Sequence, residues 1–252
     1  MRELLLAGRR RVFEVLVSAG EGGRLDGPLV DLVDLAGDLR VPVKQVARSK
    51  LDAAARTEAP QGVIARAEAL PEADLDDLIS QRAPDGAAPF LVAVDGVTDP
   101  GNLGALLRSA ECAGVTGVLL PRHRAVHVTP TVTKAAAGAV EHLPMSLVSG
   151  LPAAIERLKA AGMWVVGLDA GGDTPLHDLP FAADPVVLVL GAEGAGLSRL
   201  VRQRCDAVAS IPLRGRLESL NVAAAAAIAT YEIARMRSSG SFGAGADRAK
   251  GR

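Results

Sequence analysis

Apolar positions follow two regimes along this chain. From Phe90 onward, short apolar runs alternate with stretches of helical periodicity. They predict strand Phe90 to Val94, helix Leu103 to Ala113, strand Gly117 to Leu120, helix Val132 to Ala137, strand Met145 to Val148, helix Leu151 to Ala161 and strand Met163 to Leu168. Strands alternating with helices argue for a parallel sheet with right-handed crossovers. Val186 to Leu190 is a further buried strand, ending in a loop with Gly191, Glu193, Gly194 and Gly196. After an Arg-rich turn, a short strand from Ala207 to Ile211 stops at Pro212, and the chain reaches Ser219, Leu220 and Asn221 before the all-small run Ala223 to Ala227. Ser219 is the expected N-cap of that run. Two strand-to-loop corners so close in sequence predict a pocket at the C-terminal edge of the sheet.

Residues 1–70 repeat the alternation on a smaller scale, with a helix ending at Ala7, strand Val12 to Val17, amphipathic helix Pro28 to Leu39, strand Val41 to Val46, helix Lys50 to Ala55 and strand Gly62 to Ala65. Pro71 to Ala88 is acidic and rich in Pro, Gly and Ala, and reads as a linker holding a short helix and a flexible tether. The expected organisation is therefore a small α/β module (1–70), a linker (71–88), a larger α/β domain (89–237) and a disordered basic tail (238–252).

Composition narrows the function. About half the 252 residues are hydrophobic, and no apolar run approaches the ~20 residues of a membrane span, so the chain reads as soluble and cytoplasmic. The basic cluster follows the apolar stretch in MRELLLAGRRR, the wrong order for a secretory signal. Cys112 and Cys205 are two isolated cysteines, fitting neither a disulfide framework nor metal-ligand spacing, and read as core residues; no metal is expected. A net charge of −1 excludes a uniformly basic nucleic-acid binder, and residues 1–80 hold 11 Lys/Arg against 14 Asp/Glu. Aromatics make up 2 %, so any RNA contact would rest more on Arg, Lys and backbone groups than on stacking. Arg9, Arg10 and Arg11 either face phosphates or form a solvated turn; Arg122, His123 and Arg124 stand just beyond a strand, and Arg214 and Arg216 flank the second corner. On the helix from Leu103, Leu106, Leu107 and Ala110 extend one stripe, and at ~100° per residue Arg108 lies roughly 150° from its centre, on the side of Gly101 and Gly104. That arginine overlooks bare backbone or is simply a surface residue.

Three stretches resemble, in order and spacing, the signature motifs of the SpoU/TrmH family of S-adenosylmethionine-dependent RNA ribose 2′-O-methyltransferases within the SPOUT superfamily. They are DGVTDPGNLGALLRSAECAGV (Asp95 to Val115), LVLGAEGAGLS (Leu188 to Ser198) and IPLRGRLESLNVAAAAAI (Ile211 to Ile228). KAAAGAVEHLP (Lys134 to Pro144) resembles the family's intermotif segment, and the first module looks like the L30e-type RNA-binding domain of the branch that methylates a guanosine ribose in 23S rRNA. GAEGAG does not fit G-x-G-x-x-G, which argues against a dinucleotide site.

The resemblance implies a C-terminal trefoil knot, a homodimer whose interface lies beside the site, and S-adenosylmethionine bound at Gly191, Glu193, Gly194, Gly196, Ile211, Leu220 and Asn221. It also implies a catalytic set of Asn102, Arg108, Glu193, Ser219 and Asn221. Because an arginine stays protonated, Arg108 is expected to hold phosphate and stabilise oxyanion character, with Asn102 fixing its geometry. Glu193 is either the base or a tie on its own loop. The RNA-binding candidates are Arg9, Arg10, Arg11, Arg122, Arg214 and Arg216. Two alternatives stand beside this reading: the same chemistry on tRNA or on a resistance-type rRNA site, and a catalytically silent RNA-binding relative.

Overall fold

A computed structural model describes residues 1–18, 20, 24–57, 60–123 and 127–246, with side chains described through 238. In the first module β1 (Val12–Ser18) lies between β2 (Val43–Val46), which it pairs in parallel, and β3 (Val63–Ala67), which runs antiparallel. Helices α1 (Arg2–Ala7), α2 (Gly27–Asp38) and α3 (Arg48–Ala54) connect and cover these strands. Pro28 sits in the first turn of α2, where its missing N–H costs nothing. Leu5, Val15, Val17, Leu32 and Ala36 form a small core.

The larger unit is a seven-stranded, all-parallel sheet. Its elements in chain order are β4 (Phe90–Asp95), α5 (Pro100–Cys112), β5 (Gly117–Pro121), α6 (Pro130–Ala135), β6 (Met145–Val148), α7 (Leu151–Ala160), β7 (Trp164–Leu168), β8 (Thr174–Pro175), β9 (Val186–Gly191), α8 (Arg199–Arg204), β10 (Ala207–Ser210) and α9 (Val222–Ala246). The strand order is β6-β5-β4-β9-β7-β10-β8. Helices on both faces explain why β4 is apolar from Phe90 to Val94 and β9 from Val186 to Leu190. Phe90, Val92 and Val94 enter one core, while Leu91 and Ala93 enter the other. Each buried aliphatic side chain contributes about 1.5–3 kcal/mol, so the two cores dominate the stability of this unit.

Several expectations need correction. The short helix expected in the linker is present as α4 (Leu75–Ser80), but it is packed rather than loosely tethered: Leu75 and Leu78 are buried in the second core, and the Ala73 amide donates to the Met145 carbonyl at 2.8 Å. Leu78 packs where Gly117 leaves room, since a Cβ there would stand 2.7 Å from it. The Arg-rich turn is α8, pinned by buried Val201. Cys112 is exposed at the end of α5, and Cys205 is partly buried against the second core, which pushes its thiol up to about 11. α9 continues to Ala246, past the expected start of the disordered tail, and residues 247–252 of that tail lie outside the described residues. Arg237 donates to the carbonyls of Ala88, Pro89, Ala182 and Asp184, which anchors α9 under the sheet.

The two units meet at the segment after α6. Arg10 makes a two-pronged ion pair with Glu141 at 2.5 and 3.0 Å, with Glu141 only 2 % exposed, and Arg9 donates to the Glu141 carbonyl at 3.3 Å. Gly138, at φ 100°, brings the chain against Glu3, and His142 pairs with Glu3 at 2.9 Å. Removing one partner of a buried pair leaves an uncompensated charge. Glu141→Ala is therefore expected to destabilise the folded chain by about 3 kcal/mol, read as a lower urea midpoint, with Glu141→Gln intermediate.

Candidate functional site

The cleft lies where β9 and β10 end. β9 finishes at Gly191, and a turn follows in which the Ala192 and Gly196 amides donate to each other's carbonyls at 3.0 and 2.9 Å. Two glycines are required here by space. A Cβ on Gly191 would stand 2.3 Å from the Gly196 carbonyl carbon, and one on Gly196, at φ 65°, would stand 2.6 Å from Asp169 Oδ2. The cleft, about 220 Å³, has apolar walls from Leu168, Leu190, Ile211, Leu213, Leu220 and Val222, with the backbone of residues 191–196 along one side. Gly191, Glu193, Gly194, Gly196, Ile211, Leu220 and Ser219 all line it; Asn221 does not, and instead braces its corner.

That bracing begins at the N-terminus of α9. Asn221, not Ser219, is the N-cap: its Oδ1 accepts from the Ala223 and Ala224 amides at 2.9 and 3.3 Å. Ser219 stands two residues earlier, exposed on the cleft wall. With Oδ1 occupied, the Asn221 Nδ2 points the other way and donates to Asn102 Oδ1 at 2.9 Å. Asn102 is thereby oriented to donate from its own Nδ2 to Glu193 Oε2 at 3.0 Å, and Asn221 Nδ2 also approaches Glu193 Oε1 at 3.5 Å. Asn102 is itself placed by the Asp99 cap of α5, whose carboxylate accepts its backbone amide at 2.6 Å. One chain of hydrogen bonds thus joins three sequence motifs.

Arg108 is not part of that chain. It is exposed on α5, and its guanidinium makes no hydrogen bond or ion pair among the described residues, so Asn102 does not fix its geometry. Gly104 does not present bare backbone beside it either: a Cβ there would meet the Val132 carbonyl at 2.8 Å, because α6 packs against this face.

Asp169, which the sequence reading passes over, lines the cleft just beyond β7. Its carboxylate accepts from the Gly171 and Leu197 amides at 3.0 and 3.3 Å and pairs with Arg202 at 2.9 Å. Burial opposes ionisation most strongly, but these partners together outweigh it and hold the carboxyl below its ordinary 3.8. The signal was available as an acid immediately after a buried parallel strand. A depressed native pKa stabilises the fold above the ordinary value and loses that contribution as pH falls through the native one. Asp169→Asn is expected to flatten the fall in Tm between about pH 5 and pH 2; an unchanged slope would refute the assignment.

The RNA candidates separate. Arg9 and Arg10 are turned onto Glu141, which rules out Arg10 as a free phosphate contact. Arg122 pairs with Glu72 at 2.6 Å. Arg214 and Arg216 are exposed on the stretch that supplies Leu213 and Ser219 to the cleft. His123 is exposed, and Arg124 lies outside the described residues. Among the described residues no His, Cys, Asp and Glu group could hold a metal ion, and no helix is long and apolar enough to cross a membrane.

A parallel sheet whose strand ends carry a glycine-lined cleft and a braced carboxylate defines a small-molecule-binding α/β domain. The chain belongs to the SpoU rRNA methylase family, whose model matches residues 89–231; a second model, RNA 2′-O ribose methyltransferase substrate binding, matches residues 2–73. An uncharacterized tRNA/rRNA methyltransferase of Mycobacterium sp. strain KMS is 40 % identical over 243 residues, 93 % of this chain and 77 % of its own length. Among solved structures, the SpoU methyltransferase AviRb of Streptomyces viridochromogenes in complex with AdoMet is 29 % identical at TM-score 0.75, covering 94 % of this chain and 87 % of its own. An AdoMet-bound rRNA methyltransferase of Sinorhizobium meliloti is 26 % identical at TM-score 0.74, covering 94 % and 85 %.

Proposed function

We propose that this chain transfers a methyl group from S-adenosylmethionine to a ribose 2′-hydroxyl of RNA, on a guanosine of 23S rRNA. The observation that carries the reading is the Asn102, Glu193 and Asn221 brace at the lip of the cleft. The cleft suits the donor chemically. Its apolar walls and free backbone groups suit an adenine, and its charged lining residues are two carboxylates, Asp169 and Glu193, with no Lys or Arg, which suits a cation. Gly191, Glu193, Gly194, Gly196, Ile211 and Leu220 would hold it. When bound, the cofactor supplies an electrophilic methyl group on a sulfonium.

The protein's own residues then have separable tasks. Glu193 accepts from both asparagines, which supports reading it as the tie on the glycine loop. Arg108, exposed and without an ion pair among the described residues, is assigned the task of holding an RNA phosphate and stabilising negative charge developing on the 2′-oxygen. Ser219, on the cleft wall, is free to contact the nucleotide. We read Leu213 and Leu220 on the cleft wall, Leu217 between them in sequence at 81 % exposure, and Ile228 and Tyr231 exposed along α9, as the interface of a homodimer. The trefoil knot belongs to the same proposal. The substrate-binding match over residues 2–73 supports an RNA substrate, and the rRNA named for the S. meliloti structure supports rRNA as that substrate.

The test uses tritiated S-adenosylmethionine with separate pools of unmodified 23S rRNA, 16S rRNA and tRNA, mapping label by its block to alkaline cleavage. Label at one 23S guanosine is expected. Label confined to tRNA overturns the substrate, and no transfer to any pool by a cofactor-binding protein overturns the activity. A monomeric mass by light scattering overturns the dimer.

A further inference from the structure

The run Arg9-Arg10-Arg11 divides in the structure. Arg9 and Arg10 turn to Glu141, whereas the Arg11 guanidinium carbon lies 5.4 Å from the centroid of the Phe13 ring. Arg66, from β3, comes within 5.8 Å of the same ring. The local cause is a bulge. β1 pairs Val12 with Ala67 and Glu14 with Arg66, so Phe13 is an extra residue without a partner across the ladder. An inserted residue of this kind bends the strand and re-aims a side chain. Phe13 is left 38 % exposed, although Val15 and Val17 on the same strand are buried.

Of the four Phe, one Tyr and one Trp, Trp164 and Tyr231 are exposed as well, at 40 % and 53 %, but among the described residues Phe13 is the one exposed ring with cations held against it. Phe90 is buried, and Trp164 stacks on Phe181. Around Phe13 the cations are unevenly used. Lys44 and Arg66 share Glu14 at 2.6 and 3.2 Å, while the Arg11 guanidinium makes no hydrogen bond or ion pair among the described residues. Cations held against a ring form a flat surface that combines a π face with positive charge. Bases stack on such surfaces when they are unpaired, and the neighbouring phosphates take the charge. A protein partner would need a larger apolar centre than one ring.

We infer that Phe13, Arg11 and Arg66 form a platform on which the first module takes an unpaired nucleobase of its RNA substrate. The inference rests on the methyltransferase reading and adds a recognition mode to it. Because Arg10, the residue beside Arg11, is tied to Glu141, the platform stands at a fixed offset from the larger domain. Stacking tolerates any base, so the platform selects unpaired RNA and leaves the choice of nucleotide to the cleft.

The experiment measures binding of the full chain to a short fluorescein-labelled single-stranded oligouridine and to a duplex of equal length, by anisotropy at fixed salt. S-adenosylmethionine affinity, Tm and KM for 23S rRNA are recorded for each variant. Phe13→Leu keeps apolar bulk and removes the π face, and is expected to weaken single-strand binding about five- to a hundred-fold at unchanged cofactor affinity and Tm. Phe13→Trp is expected to bind at least as tightly as wild type, and Arg11→Gln to lower the salt dependence by roughly one phosphate contact. Wild-type single-strand binding by Phe13→Leu, or a wild-type protein that prefers the duplex, overturns the platform. If wild type transfers label and Phe13→Leu keeps its KM, the platform alone fails. If wild type takes up no S-adenosylmethionine, the methyltransferase reading fails, and the oligonucleotide arm still decides the platform.

Discussion

Replacing Arg108 by alanine is expected to lower kcat for methyl transfer by roughly 10²–10³ while leaving S-adenosylmethionine affinity near the wild-type value. Arg108 is exposed on α5, does not line the cleft, and makes no hydrogen bond or ion pair among the described residues. Its removal therefore leaves no orphaned partner, and alanine is the better helix former. A fall in rate cannot then be blamed on the fold. The loss should appear in kcat, because a charge stabilised only as the 2′-oxygen becomes nucleophilic is a transition-state interaction. Arg108→Lys separates charge from shape: a lysine keeps the charge but not the planar fork, and partial activity is expected. Single-turnover transfer to 23S rRNA checks both variants, and a wild-type rate for Arg108→Ala would remove this residue from the mechanism.

The larger domain was legible because its burial is two-sided and its strands are short. The stripe of Leu103, Leu106, Leu107 and Ala110 is buried as its spacing requires, and strands such as Phe90–Asp95 and Val186–Gly191 fall within a residue of their apolar runs. What failed depends on contacts remote in sequence. Gly104 reads as an open face on its own helix, yet α6 closes it, and no local pattern encodes that. Ser219 and Asn221 are both good caps by residue type; which one begins the helix is set by where the chain leaves the cleft wall. Arg10 reads as a solvent cation until its partner, 131 positions away, is known. Asn102, Glu193 and Asn221 were legible as motif residues, but the order of donors and acceptors among them follows only from the cap at Asn221.

Gly191→Ala is expected to abolish measurable S-adenosylmethionine binding and to cost about 3 kcal/mol of stability, the upper end for overpacking. The reason is the identity of the obstructing atoms. The new methyl group would stand 2.3 Å from the Gly196 carbonyl carbon and 2.5 Å from the Leu197 amide nitrogen, both backbone, so no rotamer change relieves the clash. Either β9 shifts or the 192–198 turn opens. The turn is the weaker element, held by the paired Ala192 and Gly196 amides, by Asp169 and by the Asn102 and Asn221 hold on Glu193. Opening it moves the backbone of the cleft wall and carries Glu193 away from its donors, so cofactor binding and the brace are lost together. Gly194→Ala is the control, since a Cβ there meets nothing within 4 Å and only the φ of 75° is penalised, by about 1–2 kcal/mol. Equilibrium dialysis with labelled S-adenosylmethionine and thermal melts read both variants. Cofactor affinity at the wild-type level in Gly191→Ala would show that the close crossing of β9 and the glycine turn does not shape the site, whereas loss in Gly191→Ala with a milder loss in Gly194→Ala is the pattern that crossing requires.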